Sequence, residues 1–420
     1  MPAACPRRRP ANRARSAGRR PRRAAAPPPR RAPRAHLAWA SVRRLLFLCC
    51  AIVFVDTSFY AAMTPLLPGF EDEFGLSKTA AGVLAAAYPA GTLAGALPGG
   101  YLAARAGVRT TVVVGLGVMV VSSLAFAFAD SIALLDAARF LQGIGGAASW
   151  AGALAWITGA APRDRRGEMI GTAMGAAIVG ALVGPAIGAL ADAVGITPVF
   201  CGVAVLGTVL AGWAQRTPPA EPEGTSSPGE LLAALRDGRV AGGIWLIVVP
   251  GLVFGTIGVL GPLRLDDLGV GAAAIAAVWL GAALLEAGVS PIVGRVSDRR
   301  GRLFPSLLGL TSASVLMLLF PWPDEPWQLI LLVLLASPSI GMLWAPSMAL
   351  LADGAEAVGI AQGFAFALSN LGWSIGQTTG SAASAGLADA TSDAVPYLVL
   401  AAVALASCAV LVRARRLAPA

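Results

Sequence analysis

Residues 180–188 read GALVGPAIG, a proline inside a long apolar run with glycines at 180, 184 and 188. Glycine costs a helix interior about 1 kcal/mol against alanine, and proline about 3 kcal/mol. Placing both in a segment that must be helical calls for a compensating use. Glycines at i, i+4 and i+8 share one helical face and let a neighbouring backbone approach closely. Pro185 frees one backbone carbonyl and bends the helix. In lipid that is tolerated where neighbouring helices, side chains or water satisfy the freed group.

The rest of the chain places this motif in a membrane. Of 420 residues 56% are hydrophobic and only 13% charged, against about 25% charged in soluble domains, and the mean hydropathy is +0.71. Apolar runs long enough to cross a bilayer fall at 45–66, 79–102, 108–129, 132–159, 169–192, 197–214, 242–262, 271–293, 304–322, 327–351, 360–386 and 394–412. The fold class expected is all-α integral membrane, with twelve transmembrane helices.

The net charge of +9 conceals two different parts. Residues 1–44 hold fourteen arginines and no acid, which leaves −5 for the remainder. This Arg/Pro/Ala-rich segment cannot build a core and is expected to be disordered. It reads as a cytoplasmic tail or as sequence upstream of the true start codon. Contact with anionic lipid is a smaller expectation, and no nucleic-acid partner is assigned. If the N-terminus is cytoplasmic, fifteen arginines lie in inside loops and the C-terminus, and only Lys78 and Arg264 lie outside. That asymmetry puts both termini in the cytoplasm. The five cysteines show no pairing or metal spacing, and the one histidine, His36, lies in the tail. No metal, cofactor or catalytic triad is expected.

The two halves of the chain echo each other. GALVGPAIG matches GWSIGQTTG at 372–380 with an offset of 192, which sets three glycines on three glycines. GYLAARAGVR (100–109) matches GRVSDRRGRL (294–303) with an offset of 194, so Gly100, Arg105 and Gly107 fall on Gly294, Arg299 and Gly301. The expected organisation is a tail (1–44), a six-helix bundle (45–214), a cytoplasmic linker (215–241), a second six-helix bundle (242–412) and a short C-terminal tail (413–420). Paired six-helix repeats with a site between them are a transporter architecture.

On these features the chain resembles the major facilitator superfamily, and the resemblance covers everything after the tail. GRVSDRRGR is similar to the family's loop signature, in which Gly294, Asp298, Arg299, Gly301 and Arg302 take the motif positions. The first-half copy, with Gly100, Arg105, Gly107 and Arg109, has Ala104 where the acid usually stands. RFLQGIGGAA, containing Arg139, resembles the fourth-span signature. GALVGPAIG, with Gly180, Gly184, Pro185 and Gly188, resembles the fifth-span motif of the antiporter branch. DTSFYAAMTPLLP, with Asp56, looks like the first span of drug:proton antiporters and vesicular monoamine transporters. The resemblance implies two pseudo-symmetric bundles that rock, with the span-5 motif as a tight seam between them. Ordinary small-residue packing is the plainer reading of that motif. The loop motif is expected to latch one state closed through Asp298 and its arginines, or else to be a topology signal.

Ionisable side chains inside spans are costly and by default mark a pathway. Asp56 and Glu286 have no cation nearby in sequence and are candidates for proton or cation coupling. Asp136 and Arg139 are three apart on one helical face, which suits either coupling or mutual neutralisation. Tyr60, one turn from Asp56, and the stripe Asn370, Trp373 and Gln377 are candidates for a substrate cavity wall, against plain helix packing; Trp150 and Trp156 are weaker ones. The leading expectation is a proton-driven exporter of small amphipathic organic molecules, drug-like or other, cationic or neutral, acting as a monomer in the plasma membrane. An uptake permease on the same fold and a non-transporting sensor or scaffold are the alternatives. Nothing at recognisable spacing suggests an enzyme.

Overall fold

The computed structural model of the protein describes residues 34–160, 165–219, 234–358 and 362–417. Of residues 1–44, expected to be disordered, 1–33 lie outside them and 34–44 are instead helical, forming the start of a long apolar helix. Residues 220–233 of the 215–241 linker also lie outside them. By internal contact Ser41–Ala420 is one unit, and of the other, Met1–Ala40, only the first turns of a helix are described.

Among the described residues the structure is all helical. In chain order the helices are α1 (Arg34–Ala61), a 3-10 turn (Thr64–Leu66), α2 (Leu67–Phe74), α3 (Lys78–Ala106), α4 (Val108–Ala127), α5 (Ile132–Ala160), α6 (Arg166–Val194) and α7 (Ile196–Arg216). There follow α8 (Gly238–Asp267), α9 (Ala272–Arg300), α10 (Leu303–Leu319), α11 (Pro326–Gly341), α12 (Trp344–Ala357), α13 (Gln362–Ala390) and α14 (Ala394–Leu417). Counting α1–α2 and α11–α12 as single broken crossings gives twelve. Nine described segments are long and apolar enough to cross a bilayer by themselves, and α10 is a shorter apolar helix. The span expected at 327–351 is thus two helices that break at Met342 and Leu343. The span expected from 45 starts upstream, at Arg34, and continues as α2 to Phe74.

Local chemistry sets the breaks. Gly107 and Gly301, which the internal repeat superposes, both end a helix with positive φ, at 84° and 82°. Side chains other than glycine reach that region only with strain, so the repeat has a backbone cause. Ser77 caps α3 by accepting from the Ala80 N–H, and Asp237 caps α8 by accepting from Arg239 and Val240 N–H. Glu325 and Gln328 form a capping box on α11. Exposed Val121, Ile178, Val205 and Val410 face outward, as lipid-facing residues do. Trp322 and Trp327 stand exposed beside the α10–α11 connection, where aromatic belts sit.

In the first half α5 packs on α3 and α4; in the second, α8 packs on α12 and α13. The halves meet where α3 packs on α13 and α6 on α9. The opening motif contributes differently from the expectation. A Cβ added at Gly180, Gly184 or Gly188 would strike the carbonyl oxygens of Phe54 and Ser58 on α1 and of Ala62 just past its end. The matching glycines at 372, 376 and 380 crowd the carbonyls of Ile244, Val248 and Leu252 on α8 in the same way. Both glycine rows therefore bind a helix of their own half, at a four-residue repeat on both partners. This face is a seam inside each bundle rather than between bundles, and Pro185 lies within α6 without ending it. Helix α6 also packs on α9 of the second half.

Candidate functional site

Asp56 sits on α1 with a relative exposure of 1%. Its Oδ2 accepts from the Tyr88 hydroxyl of α3 at 2.8 Å and from Trp150 Nε1 of α5 at 2.8 Å. Its Oδ1 is buried with no protein hydrogen-bond partner. Gly146, one turn before Trp150, makes the space: a Cβ there would stand 2.6 Å from Oδ1 and 2.9 Å from the Tyr88 hydroxyl. Three helices thus hold one oxygen of a carboxylate and leave the other open. Sequence reasoning reached Asp56 and, weakly, Trp150, and missed Tyr88 and Gly146. The available signal was Tyr88 itself, one of only four tyrosines and set mid-span.

Arg139 is also 1% exposed. Its guanidinium donates to Gln142 Oε1 at 2.7 Å and to the carbonyls of Phe59 and Tyr60 at 3.4 and 3.3 Å. It lies over the Tyr88 ring, with Cζ 5.2 Å from the centroid. Among the described residues Arg139 and Asp136 form no ion pair, and Asp136 Oδ1 and Arg139 Nε are buried without partners. Mutual neutralisation of these two side chains is therefore not what the structure shows. The cation is held by neutral acceptors and a π-face instead.

Tyr60 brings in the second half. Its hydroxyl accepts from Gln377 Nε2 at 2.5 Å, and its ring meets Tyr88 and Trp373 with centroids 4.9 and 5.2 Å away. Two of the three stripe residues on α13 thus join the Asp56 cluster, while half-buried Asn370 makes no described hydrogen bond to it. Between the halves lies a cavity of ≈ 30 Å³ lined by Tyr60, Arg139, Gln377 and Ser381 among others. Its volume has room for a water-sized group and not for an organic solute. Trp156 is elsewhere: it is fully buried and donates to the Pro218 carbonyl, a packing role.

Glu286 on α9 occupies a separate niche inside the second half. Its Oε2 accepts from Ser337 of α11 at 2.7 Å, and the Trp344 side chain lies near it. Gly341 gives it room, because a Cβ there would stand 2.7 Å from Glu286 Cγ. Asp56 and Glu286 do not share a site in this structure. Each has a tryptophan and a glycine niche from the corresponding helix of its own half, α5 or α11–α12.

Of the loop motif, Gly107 and Gly301 are conformational, and Gly100 and Gly294 have open space around them. Arg105 stacks on Tyr101, and Arg302 pairs with Asp353 at the end of α12. Asp353 was not singled out from sequence, because it lies just past the span expected at 327–351 and in no motif. The Asp298 side chain lies outside the described residues. Arg299 is exposed and Arg109 takes part in no ion pair among the described residues. Among those residues no cluster of three His, Cys, Asp or Glu is placed to hold a metal ion.

A family model described as Major Facilitator Superfamily matches residues 46–376. Solved structures similar in fold include a partially occluded inward-open xylose transporter, XylE, from E. coli, with TM-score 0.69, 14% identity, and coverage of 89% of this chain and 98% of that one. A peptide transporter, POT, in complex with sulfate gives TM-score 0.71, 17% identity and coverage of 88% and 94%. A bacterial homolog of the human lysosomal transporter Spinster, inward-facing and unoccupied, gives TM-score 0.69, 15% identity and coverage of 89% and 95%. At these identities the likeness is one of fold. No curated protein sequence matches the chain.

Proposed function

The chain belongs to the Major Facilitator Superfamily and is a multi-pass membrane transporter rather than an enzyme, and from that premise we propose that it is a proton-coupled antiporter exporting small amphipathic organic cations. One observation carries the reading. Asp56 is buried among aromatic rings with one oxygen held by two donors and the other unpartnered. A buried carboxylate with one oxygen unpartnered, and with the guanidinium of Arg139 near it but not bonded to it, is costly unless a proton or a cation completes it. Proton and substrate therefore compete for Oδ1, which is what antiport requires. Tyr60, Trp150 and Trp373 offer aromatic surface that favours an organic cation over an inorganic one.

In this reading the two bundles, 45–214 and 242–412, rock about their shared contacts with both termini in the cytoplasm of a plasma-membrane monomer. Glu286 is a second coupling group, in a niche that stays within its own bundle. Arg139 fixes the local charge beside Asp56.

The test uses everted vesicles with an imposed proton gradient and a panel of lipophilic cations, read as solute-dependent dissipation of the gradient. The wild type is expected to dissipate it, and Asp56→Asn to abolish that response while energy-independent exchange persists. Wild-type gradient-driven export by Asp56→Asn with none by Glu286→Gln moves the coupling to α9. Full coupled activity in both variants overturns the mechanism, and inward flux of a metabolite establishes the permease alternative.

A further inference from the structure

The end of the molecule remote from the arginine-rich loops carries polar contacts that join the two halves. Lys78, the first residue of α3, donates through Nζ to both carboxylate oxygens of Asp393, at 2.6 and 2.7 Å. Thr79 donates its backbone N–H at 2.7 Å and its hydroxyl at 2.5 Å to Asp389 Oδ2. Asp389 is the penultimate residue of α13, and Asp393 lies in the turn before α14.

The chemistry of α3 explains why two carboxylates gather here. The first turn of a helix has free N–H groups and the positive end of the helix dipole. Ser77, on the same chain segment, takes the Ala80 N–H at 3.2 Å. The Thr79 N–H is taken by the other half of the molecule. One turn deeper, a Cβ at Gly82 would strike the Ser381 carbonyl and the Ala385 methyl group on α13, so the two helices cross here with only that small side chain between them. Deeper still, Tyr60 meets Gln377 at the cavity. Polar contacts thus close the rim over a tight helix crossing, with the cavity beneath.

We propose that Asp389 is a helix cap supplied in trans and that, with the Lys78–Asp393 pair, it latches this end of the transport path shut. The inference rests on the reading that the halves rock, and not on which solute or ion is carried. A trans cap differs from an ordinary one in consequence: opening this end leaves the Thr79 N–H and two carboxylates to water. Lys78 and Asp393 keep side-chain exposures of 30% and 42%, so water is at hand to replace the contacts. Water-exposed contacts of this sort bias an equilibrium without locking it, which suits a gate that must open in every cycle. Gly82 makes the closed state fit closely enough for the short side chains of Thr79 and Asp389 to meet.

The experiment measures access to the cavity from the Lys78 side. Ala85 lines the cavity below Gly82. In the full chain, with the native cysteines replaced by alanine, Ala85→Cys is labelled with a membrane-impermeant methanethiosulfonate reagent added from that side. Lys78→Asp, Asp393→Lys and Asp389→Ala should each raise the labelling rate roughly 2- to 5-fold, the range for exposed ion pairs and caps. The double swap of Lys78→Asp with Asp393→Lys should return the rate to that of the parent. Thr79→Val, which keeps the N–H and removes the hydroxyl, should fall between parent and Asp389→Ala. Parent-like labelling in all the single variants overturns the latch, as does a double swap that labels as fast as the singles. Failure of the coupling reading is seen separately: it appears as proton-coupled export by Asp56→Asn, with labelling unaffected.

Discussion

Adding one methyl group at Gly146 tests the Asp56 niche without changing any charge. The new Cβ of Gly146→Ala would lie 2.6 Å from Asp56 Oδ1, 2.9 Å from the Tyr88 hydroxyl and 3.1 Å from Oδ2. Ordinary contact begins near 3.4 Å, so the carboxylate or α5 must move by about 0.8 Å. Helix α5 has little freedom to retreat, because Gly143 lies against the Tyr88 carbonyl and Gly145 against Gly115 on α4. The carboxylate yields instead. The same displacement stretches its 2.8 Å bonds from Tyr88 and Trp150 toward the limit of hydrogen bonding. Losing one charge-assisted bond is worth about 1.5–3 kcal/mol, or roughly 10- to 150-fold in affinity. The assay is the solute concentration giving half-maximal gradient dissipation in everted vesicles. Gly146→Ala should raise it by at least about tenfold, with insertion and expression unchanged. Gly117→Ala on α4, where nothing lies within 4 Å, is the control and should match wild type. Wild-type half-saturation and coupling in Gly146→Ala would refute the claim that this carboxylate is the coupling site held by Tyr88 and Trp150.

The seam inside each bundle predicts that Gly184→Leu destabilises the first half, since even its Cβ falls 2.5 Å from Ala61 Cβ and 2.6 Å from the Ser58 carbonyl. The melting temperature in detergent should drop by the equivalent of at least about 1–3 kcal/mol, the range for overpacking. Gly171→Leu, in open space, should melt as wild type does, and equal melting of the two variants would count against the seam. Only the second copy of the loop motif carries an acid, so Asp298→Asn should slow transport more than Arg109→Ala at equal expression. Equal, mild effects of the two changes would leave these loops as topology signals alone.

The membrane class, the number of crossings and the two-fold repeat were legible in the sequence, because each depends on local composition. Lipid demands about twenty apolar residues per crossing, and the helix ends at Gly107 and Gly301 demand a residue without Cβ. The family resemblance followed from motifs of the same local kind. The partners of those residues did not, because a helix repeating every 3.6 residues shows which side chains share a face and not which helix meets it. The glycines of 180–188 read equally well as an inter-bundle seam; only the tertiary structure placed them on Phe54, Ser58 and Ala62. Asp136 and Arg139, adjacent on one helical face, turned out to have different surroundings, because buried Arg139 finds its acceptors in Gln142 and the backbone of α1. Tyr88 reaches Asp56 across 32 residues, Trp150 across 94 and Gln377 reaches Tyr60 across 317. Distances of that kind are set by how the bundles pack, which depends on every helix at once and is written in no single stretch of the chain.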